Sequence, residues 1–496
     1  MPYIGLDVGT SSCKASVVDH TGAVVAFAHE EYAPISPKPG YIEIDARAVW
    51  EAVKRAIRRI SRPEITALAI ASFGEAAVLL GDQDQVLSNS IFYSDIRGSE
   101  EVADILAAIP PERAQAITGT AANPMYTANK LLWIKKHQPE LLHATKHVML
   151  FGDYIGFLLT GERVIDYSLA SRTMLFDVMQ SRWSEEVSSR LGLSTDGFST
   201  PVRAGTRIGR ILPSVAAELG LGATLTVVAG GHDQMLAALG GGVVNRGDSV
   251  DGMGSSECIS LMIHGGDVTP NMAQYNFCSE PYVFENSYLT LAFNASSGTS
   301  IRWYQECFEK ERAQYAAENG GSLFAMMEAG CPKAPTSLYF LPHVGGSGTP
   351  YIDSTLGGAF LGLTVATTRG DCYKAVLEGI CYEMQYNAEL LQSCGLPVNE
   401  VTAVGGSTKS RLLMQLKADI MNRPVHTLAI KETGTMGLAL LCAYALGDIP
   451  DLAAAASTLA QRSETFYPNQ ANAAIYANRM QHYRRIYPAI KSIYHT

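Results

Sequence analysis

Several short stretches of this chain bring glycines, hydroxyls and charges together in ways that suit phosphate chemistry. The first is Leu6-Asp7-Val8-Gly9-Thr10-Ser11-Ser12-Cys13-Lys14. A carboxylate ends one apolar run and a Gly/Thr/Ser turn leads into the next. Such a turn can aim backbone N–H groups and the hydroxyls of Thr10, Ser11 and Ser12 at phosphate oxygens, while Lys14 adds a point charge. Asp7 would then face the cation that accompanies phosphates, through its water shell, as Mg²⁺ prefers. An ordinary hairpin with an exposed lysine is the other reading. Near mid-chain, Gly252-Met253-Gly254-Ser255-Ser256 echoes the pattern. If the chain holds two duplicated domains, the two turns face each other across a cleft and grip a phosphate chain from both sides; otherwise this too is a hairpin.

In Ala229-Gly230-Gly231-His232-Asp233-Gln234 an apolar strand delivers an aspartate just past two glycines, where a helix begins. Glycine lets backbone approach a ligand closely, and Asp233 is poised to accept a proton from an alcohol attacking phosphorus. Helix capping is the alternative for Asp233, and His232 is assigned no role. Val404-Gly405-Gly406-Ser407-Thr408-Lys409 sits at a strand-to-helix junction, where close backbone suits the ribose or base of a nucleotide, or where a plain turn suffices. The P-loop spacing is absent, and so is a Gly-x-Gly-x-x-Gly after a strand, which sets aside both P-loop and dinucleotide-binding folds. Ser72-Phe73-Gly74-Glu75 and Tyr93-Ser94-Asp95-Ile96-Arg97 each follow a buried strand. Carboxylates near an arginine can bind a polyol, each accepting from neighbouring hydroxyls, although Asp95 and Arg97 can equally form a surface pair.

The elements that must position these residues follow from periodicity. Tyr3–Leu6, Ala15–Val18 and Val24–Ala28 read as strands joined by turns. Asp45 can cap a helix whose apolar residues Val49, Trp50, Val53, Ile57 and Ile60 form one stripe at 3.6-residue spacing. Ile65–Ala71 is a further buried strand, so the opening predicts an α/β layer with a mixed sheet. In the second half, strands are expected at Tyr288–Asn294 and Val401–Val404, and helices at Thr299–Glu309 and from an Asp371 cap to about Gln392. Leu412, Leu413, Leu416 and Ile420 should form the inner face of another helix. Met436–Leu446, apolar on every side, reads as a helix buried in a domain centre, and 472–496 as a closing helix. The Gly9-to-Cys13 and Gly254-to-Cys258 echo places a domain boundary near Asn245–Asp248.

Composition bounds the rest. Of the 496 residues, 47% are apolar and 17% charged, and 38 Lys plus Arg against 48 Asp plus Glu give a net charge of −10. That balance argues against nucleic-acid and membrane-surface partners. The nine cysteines show no zinc or disulfide spacing, which fits reduced thiols in a cytoplasmic protein. No signal peptide is apparent, and the apolar runs fall short of the ~20 residues needed to span a bilayer.

Taken in this order, the motifs resemble the FGGY carbohydrate kinases of the actin-like, ribonuclease-H-like ATPase superfamily. The similarity extends to Met125-Tyr126-Thr127-Ala128-Asn129-Lys130-Leu131-Leu132-Trp133 and to Gly358 through Gly362 with Asp371, Ala375 and Glu378, although Cys372 stands where an aliphatic residue is usual. The resemblance implies an α/β fold of two duplicated domains, mixed sheets flanked by helices about an interdomain cleft. Residues 1–245 would hold the sugar, the first phosphate turn and the catalytic aspartate; residues 246–496 the second phosphate turn, the adenosine site and closing helices. It implies ATP and Mg²⁺ as cofactors. Thr10, Ser11, Ser12, Lys14, Gly254, Ser255, Ser256, Gly405, Gly406 and Lys409 would bind nucleotide, Asp7 and Asp233 would lie at the metal, and Asp233 would be the general base. Phe73, Glu75, Tyr93, Asp95, Asp233 and Gln234 would meet a small sugar, with a homodimer left open. The Tyr-x-Asp-x-Arg segment is similar to that of xylulokinases, which makes a ketopentose such as xylulose the first expectation. Gln234 resembles the glycerol kinases instead, and Phe73-Gly74-Glu75 the deoxy-ketose (fuculose-like) kinases. Gluconate and glycerol are further alternatives, as is an actin- or chaperone-like ATPase that drives protein binding.

Overall fold

Two mixed sheets of matching topology organise the molecule, in a computed structural model that describes residues 2–353 and 355–494. The first sheet contains β1 (Tyr3–Val8), β2 (Ser12–Val18), β3 (Val24–Glu31), β4 (Ala67–Ser72), β5 (Arg207–Arg210) and β6 (Thr226–His232), in the order β5-β6-β4-β1-β2-β3. The second contains β7 (Ser249–Met253), β8 (Glu257–His264), β9 (Glu280–Pro281), β10 (Ser287–Asn294), β11 (Val401–Val404), β12 (Val425–Leu428) and β13 (Arg462–Phe466). Its order, β13-β12-β11-β7-β8-β10-β9, repeats the first sheet with one short strand added at the edge. In each sheet an antiparallel meander is joined by two parallel strands and closed by an antiparallel edge strand.

Helix α1 (Ala46–Ile60) forms where the stripe requires: Val49, Val53, Ile57 and Ile60 are buried, and the Asp45 carboxylate caps the Arg47 N–H. Further helices are α2 (Asp233–Gly240), α3 (Ser297–Phe308), α4 (Arg369–Ser393), α5 (Arg411–Met421) and α6 (Thr433–Leu446). The N-cap of α4 is Thr368 and not Asp371, which instead returns a bond to the Thr368 N–H in a capping box. Its reciprocal geometry explains why the sequence points to either residue. The tail forms two helices, Gln470–Tyr483 and Ile486–Tyr494, and the last two residues of the expected closing helix lie outside the described residues.

Helix α6 is buried, but between the halves and not inside one. It packs on α2 and on β1 and β4 of the first sheet. Contact is close enough to need glycine: a Cβ at Gly437 would lie 2.2 Å from the Leu236 carbonyl oxygen, and one at Gly240 would lie 1.9 Å from that of Thr433. Because α2 follows β6 and α6 follows β12, the equivalent helices of the two repeats meet at the seam. One apolar cluster runs through it, from Tyr3, Ala69 and Val228 to Val250, Leu289, Met436 and Leu441.

Candidate active site

Register brings the chemistry to one end of the first sheet. Asp7 pairs with Ala71 on parallel β4, and Ser72 with His232 on β6, so Asp7, the Phe73–Glu75 turn and Asp233 all leave at the carboxyl ends of parallel strands. Open α/β sheets bind ligands at such ends. Asp7 is half-buried, and its Oδ1, which is buried, has no hydrogen-bond partner. Burial chiefly, then the charge of Asp233, pushes its carboxyl up to about 7 against the pull of Lys14. An orphaned buried carboxylate oxygen beside a second carboxylate fits a hydrated divalent cation. Among the described residues no cluster of three or more His, Cys, Asp or Glu side chains forms a closed metal cage, as expected for an ion that keeps most of its waters.

Asp233 does not cap α2. It occupies the first helical position after His232, with no side-chain cap bond, so its carboxylate is free to face the cleft near the positive end of the helix. Its Oδ1 lies 3.3 Å from His232 Nε2. Gln234 reaches toward the second half, where a Cβ on Gly252 would be 3.6 Å from its Oε1. Lys14, opposite Asp7 on β2, pairs with Glu432 at 3.2 Å, just ahead of α6.

The second turn lies on the facing sheet. Gly254, Ser255 and Ser256 are exposed at its tip. Buried Lys417 pins the base of the turn by bridging Asp251 on β7 and Glu257 on β8. The carbonyls of Gly254 and Ser255 accept the Gly298 and Thr299 N–H groups of α3. Beside the turn opens a cavity of about 530 Å³, lined by Gly254, Ser255, Gly298, Arg302, Gln305, Phe324, Gly406 and Lys409 among others. It joins the second turn to the Gly405-Gly406 junction, where Gly405 has a φ of 102° and its missing Cβ would clash with the Met253 carbonyl at 2.6 Å. The apolar walls from α3 and Phe324 carry no sequence motif, only distant residues folded together.

On the sugar side two expectations need correction. The Phe73 ring turns into the core, 4.9 Å from Phe151 and 5.7 Å from Phe92 between ring centroids, and is 3% exposed. Asp95 is also spent inside the wall, in a buried and not a surface pair. Its Oδ1 accepts from Arg97 N and Nε, and its Oδ2 from Ile42 N and Arg97 Nη2. Tyr93 lies within the field of both carboxylates: its hydroxyl is pushed up to about 12 by burial, then by the charges of Glu75 and Asp233. Glu75 Oε1 accepts from Arg172 Nε at 2.6 Å. Arg172, absent from the sequence reading, also lies 3.6 Å from Glu280 of β9 and over the Tyr126 ring. Glu280 in turn lies 3.0 Å from His232 Nδ1. Burial would lower the His232 pKa, but the carboxylates of Glu280 and Asp233 override it and hold the ring up at about 9.

Residues 2–240 match the N-terminal domain, and residues 252–446 the C-terminal domain, of the FGGY family of carbohydrate kinases. The chain belongs to that family. This FGGY kinase is 29% identical to the xylulose kinase of Bacillus subtilis, over 99% of its own length and 97% of that protein. It superposes on the ligand-bound xylulose kinase of Lactobacillus acidophilus with a TM-score of 0.90 at 26% identity, covering 99% of both chains. With the gluconate kinase of the same organism the TM-score is 0.89 at 25% identity, again over 99% of both. The two-domain fold and the class of enzyme, a sugar phosphotransferase, follow from family membership, and a kinase of this family uses ATP. No helix among the described residues is long and apolar enough to cross a membrane.

Proposed function

We propose that this kinase transfers the γ-phosphoryl group of ATP to a primary hydroxyl of a neutral ketopentose, xylulose by similarity to its relatives, with Asp233 as general base. The observation that carries the reading is the meeting of Asp7, the uncapped Asp233 and the Glu75–Tyr93 wall at one sheet end, with the second hydroxyl-lined turn opposite. The attacking hydroxyl gives its proton to Asp233 as its oxygen bonds to phosphorus, and the β–γ bridging oxygen leaves with ADP. Thr10, Ser11, Ser12 and Lys14 from one side, and Gly254, Ser255 and Ser256 from the other, hold the phosphates in line. Gly406 and Lys409 line the nucleoside cavity, and Gly405 shapes the turn that brings them there. Asp7 and Asp233 would hold Mg²⁺, which when bound supplies charge neutralisation on the phosphate oxygens. Glu75, Tyr93 and Gln234 orient the sugar.

Charge at the wall favours a neutral sugar over a sugar acid. Arg172 is held by Glu75 and Glu280, and His232 by Glu280 and Asp233. Each cation is already answered by carboxylates, which offer acceptors to hydroxyls and nothing to a substrate carboxylate. The nine free thiols support a reducing, cytoplasmic setting. A coupled ADP-release assay across pentuloses, hexuloses, glycerol, polyols and gluconate tests the substrate class, with xylulose expected fastest and gluconate near background. Asp233→Asn should lower kcat at least ~10²-fold with ATP binding retained, the lower bound for a positioned base. An unchanged kcat removes Asp233 from the mechanism, and ADP release indifferent to every sugar removes the sugar-kinase assignment.

A further inference from the structure

His232 stands between Asp233 and the second half of the molecule, and the proposed reaction gives it nothing to do. It is nonetheless 7% exposed with every polar group engaged. Its backbone N–H is taken by Ser168 Oγ at 2.8 Å. Its Nδ1 is 3.0 Å from Glu280 Oε1, and its Nε2 3.3 Å from Asp233 Oδ1. Glu280 belongs to β9 of the second sheet, so the ring joins carboxylates from opposite halves. The other oxygen of Glu280 makes no hydrogen bond but lies 3.6 Å from Arg172 Nη1, and Arg172 is bound in turn by Glu75. Carboxylates and nitrogen-bearing side chains therefore alternate along Glu75, Arg172, Glu280, His232 and Asp233, a chain that runs from the Glu75 turn to Asp233 and passes once through the second half.

Two features make this more than packing. Among the described residues the Asp233 carboxylate has no other ion pair or hydrogen bond, so its orientation depends on His232. The ring itself cannot turn without taking from Glu280, 1% exposed, the partner of its Oε1 and leaving it only the longer Arg172 contact, and a buried carboxylate oxygen left without a partner is costly. We propose that His232, gripped by Glu280, is a positioning residue. It holds Oδ1 of Asp233 so that Oδ2 presents to the sugar hydroxyl, and it ties that orientation to the Glu75–Arg172 wall. The inference rests on Asp233 being the general base.

The test compares wild type, His232→Gln, Glu280→Gln and the double variant, with thermal unfolding as a folding control. Either single variant should lose about 10- to 100-fold in kcat, the scale of a misplaced reacting group, with the KM values for ATP and sugar within about threefold of wild type. Calorimetric sugar affinity without ATP should likewise hold within about threefold. The double variant should be no slower than the slower single one, because both break the same chain. A kcat within about twofold of wild type in Glu280→Gln, losses that multiply in the double variant, or a change confined to KM would each overturn the proposal. Glu280→Gln is isosteric and leaves the ring in place, so it decides the matter if His232→Gln does not fold. Asp233→Asn separates the two readings: if it abolishes transfer while Glu280→Gln does not, only the positioning role falls; if it does not abolish transfer, the base assignment falls first.

Discussion

Glu75 holds a backbone conformation that a residue with a Cβ rarely takes, with φ at 69° while only 3% exposed. Such a conformation costs about 1–3 kcal/mol and persists where its surroundings over-determine it. Here Arg172 fixes the carboxylate and Thr127 Oγ1 donates to the Glu75 carbonyl at 2.6 Å. The strain is the cost of bringing an acidic side chain onto buried Arg172, while Phe73 two residues earlier packs against Phe92 and Phe151. Asp95 shows the contrast, since both of its oxygens are consumed by Arg97 and the Ile42 N–H. Glu75→Gln should therefore raise the sugar KM by about tenfold or more, the loss of one or two charge-assisted hydrogen bonds, with a modest change in stability. Asp95→Asn should leave a buried guanidinium half-paired and destabilise the fold by about 3–5 kcal/mol, with the sugar KM nearly unchanged. Steady-state kinetics and urea unfolding of the two variants check the crossing pattern, and a large KM effect in Asp95→Asn would return that residue to the sugar.

At the scale of elements, the helix Phe151–Thr160 carries a titration that should mark the whole fold. Burial pushes the Asp153 carboxyl up to about 8, opposed by the Ser199 hydroxyl and backbone N–H groups, and its Oδ1 has no partner. In the unfolded chain an ordinary aspartate loses its proton near pH 4. Between that value and about 8 the folded state holds a proton the unfolded state lacks, so the contribution is full below about pH 4 and is lost as pH rises through about 8. Asp153→Asn should remove this part of the slope. Its advantage over wild type should grow from about pH 6 to about pH 9, toward about 1–3 kcal/mol. Asp166, pushed up to about 7 mainly by its own burial, leaves a slope of the same sign over a window that ends at a lower pH. Circular-dichroism melts at several pH values read the gap, and a gap independent of pH would refute the assignment. What the sequence could and could not disclose divides along similar lines. Helix α1, its Asp45 cap and the glycine–hydroxyl turns were legible because periodicity, capping and turn chemistry act over a few residues. Arg172 and Glu280 were not: Arg172, at the end of a short helix, sits 97 positions from Glu75, Glu280, in the second sheet, 48 from His232, and each pairing is made by tertiary packing between elements and not by local spacing. Phe73 was expected at the sugar from the likeness of its Phe-Gly-acidic pattern to the deoxy-ketose kinases, and a pattern of residue types does not show that the ring packs against Phe92 and Phe151.

Across the whole molecule, the all-round apolarity of α6 announced burial but put it in a domain centre and not at the seam, and its place decides how the halves behave. Were α6 enclosed in the second half alone, each half would hold its own core and unfold by itself. Instead α6 lies against β1, β4 and α2 of the first half, and the cluster through Val228, Leu239, Met436 and Leu441 belongs to both. Asp233, the proposed base on α2, and the Glu432–Lys14 pair ahead of α6 sit on either side of this contact, so on the proposed mechanism the same surface that joins the halves also sets the distance between the two glycine–hydroxyl turns. Scanning calorimetry of the full chain should therefore show one cooperative transition. Gly437→Ala places a methyl against the Leu236 carbonyl, which is backbone and cannot rotate away, so the helices must part. The variant should lose about 1–3 kcal/mol, the usual cost of overpacking, and its transition should broaden or split as the two cores uncouple. Its kcat should fall more than its affinity for either substrate, because each site remains intact on its own half while the alignment between them is lost. A Gly437→Ala protein with an unbroken transition, an unshifted midpoint and full kcat would mean that the seam tolerates displacement and that something other than the α2–α6 contact sets the distance between the phosphate turns.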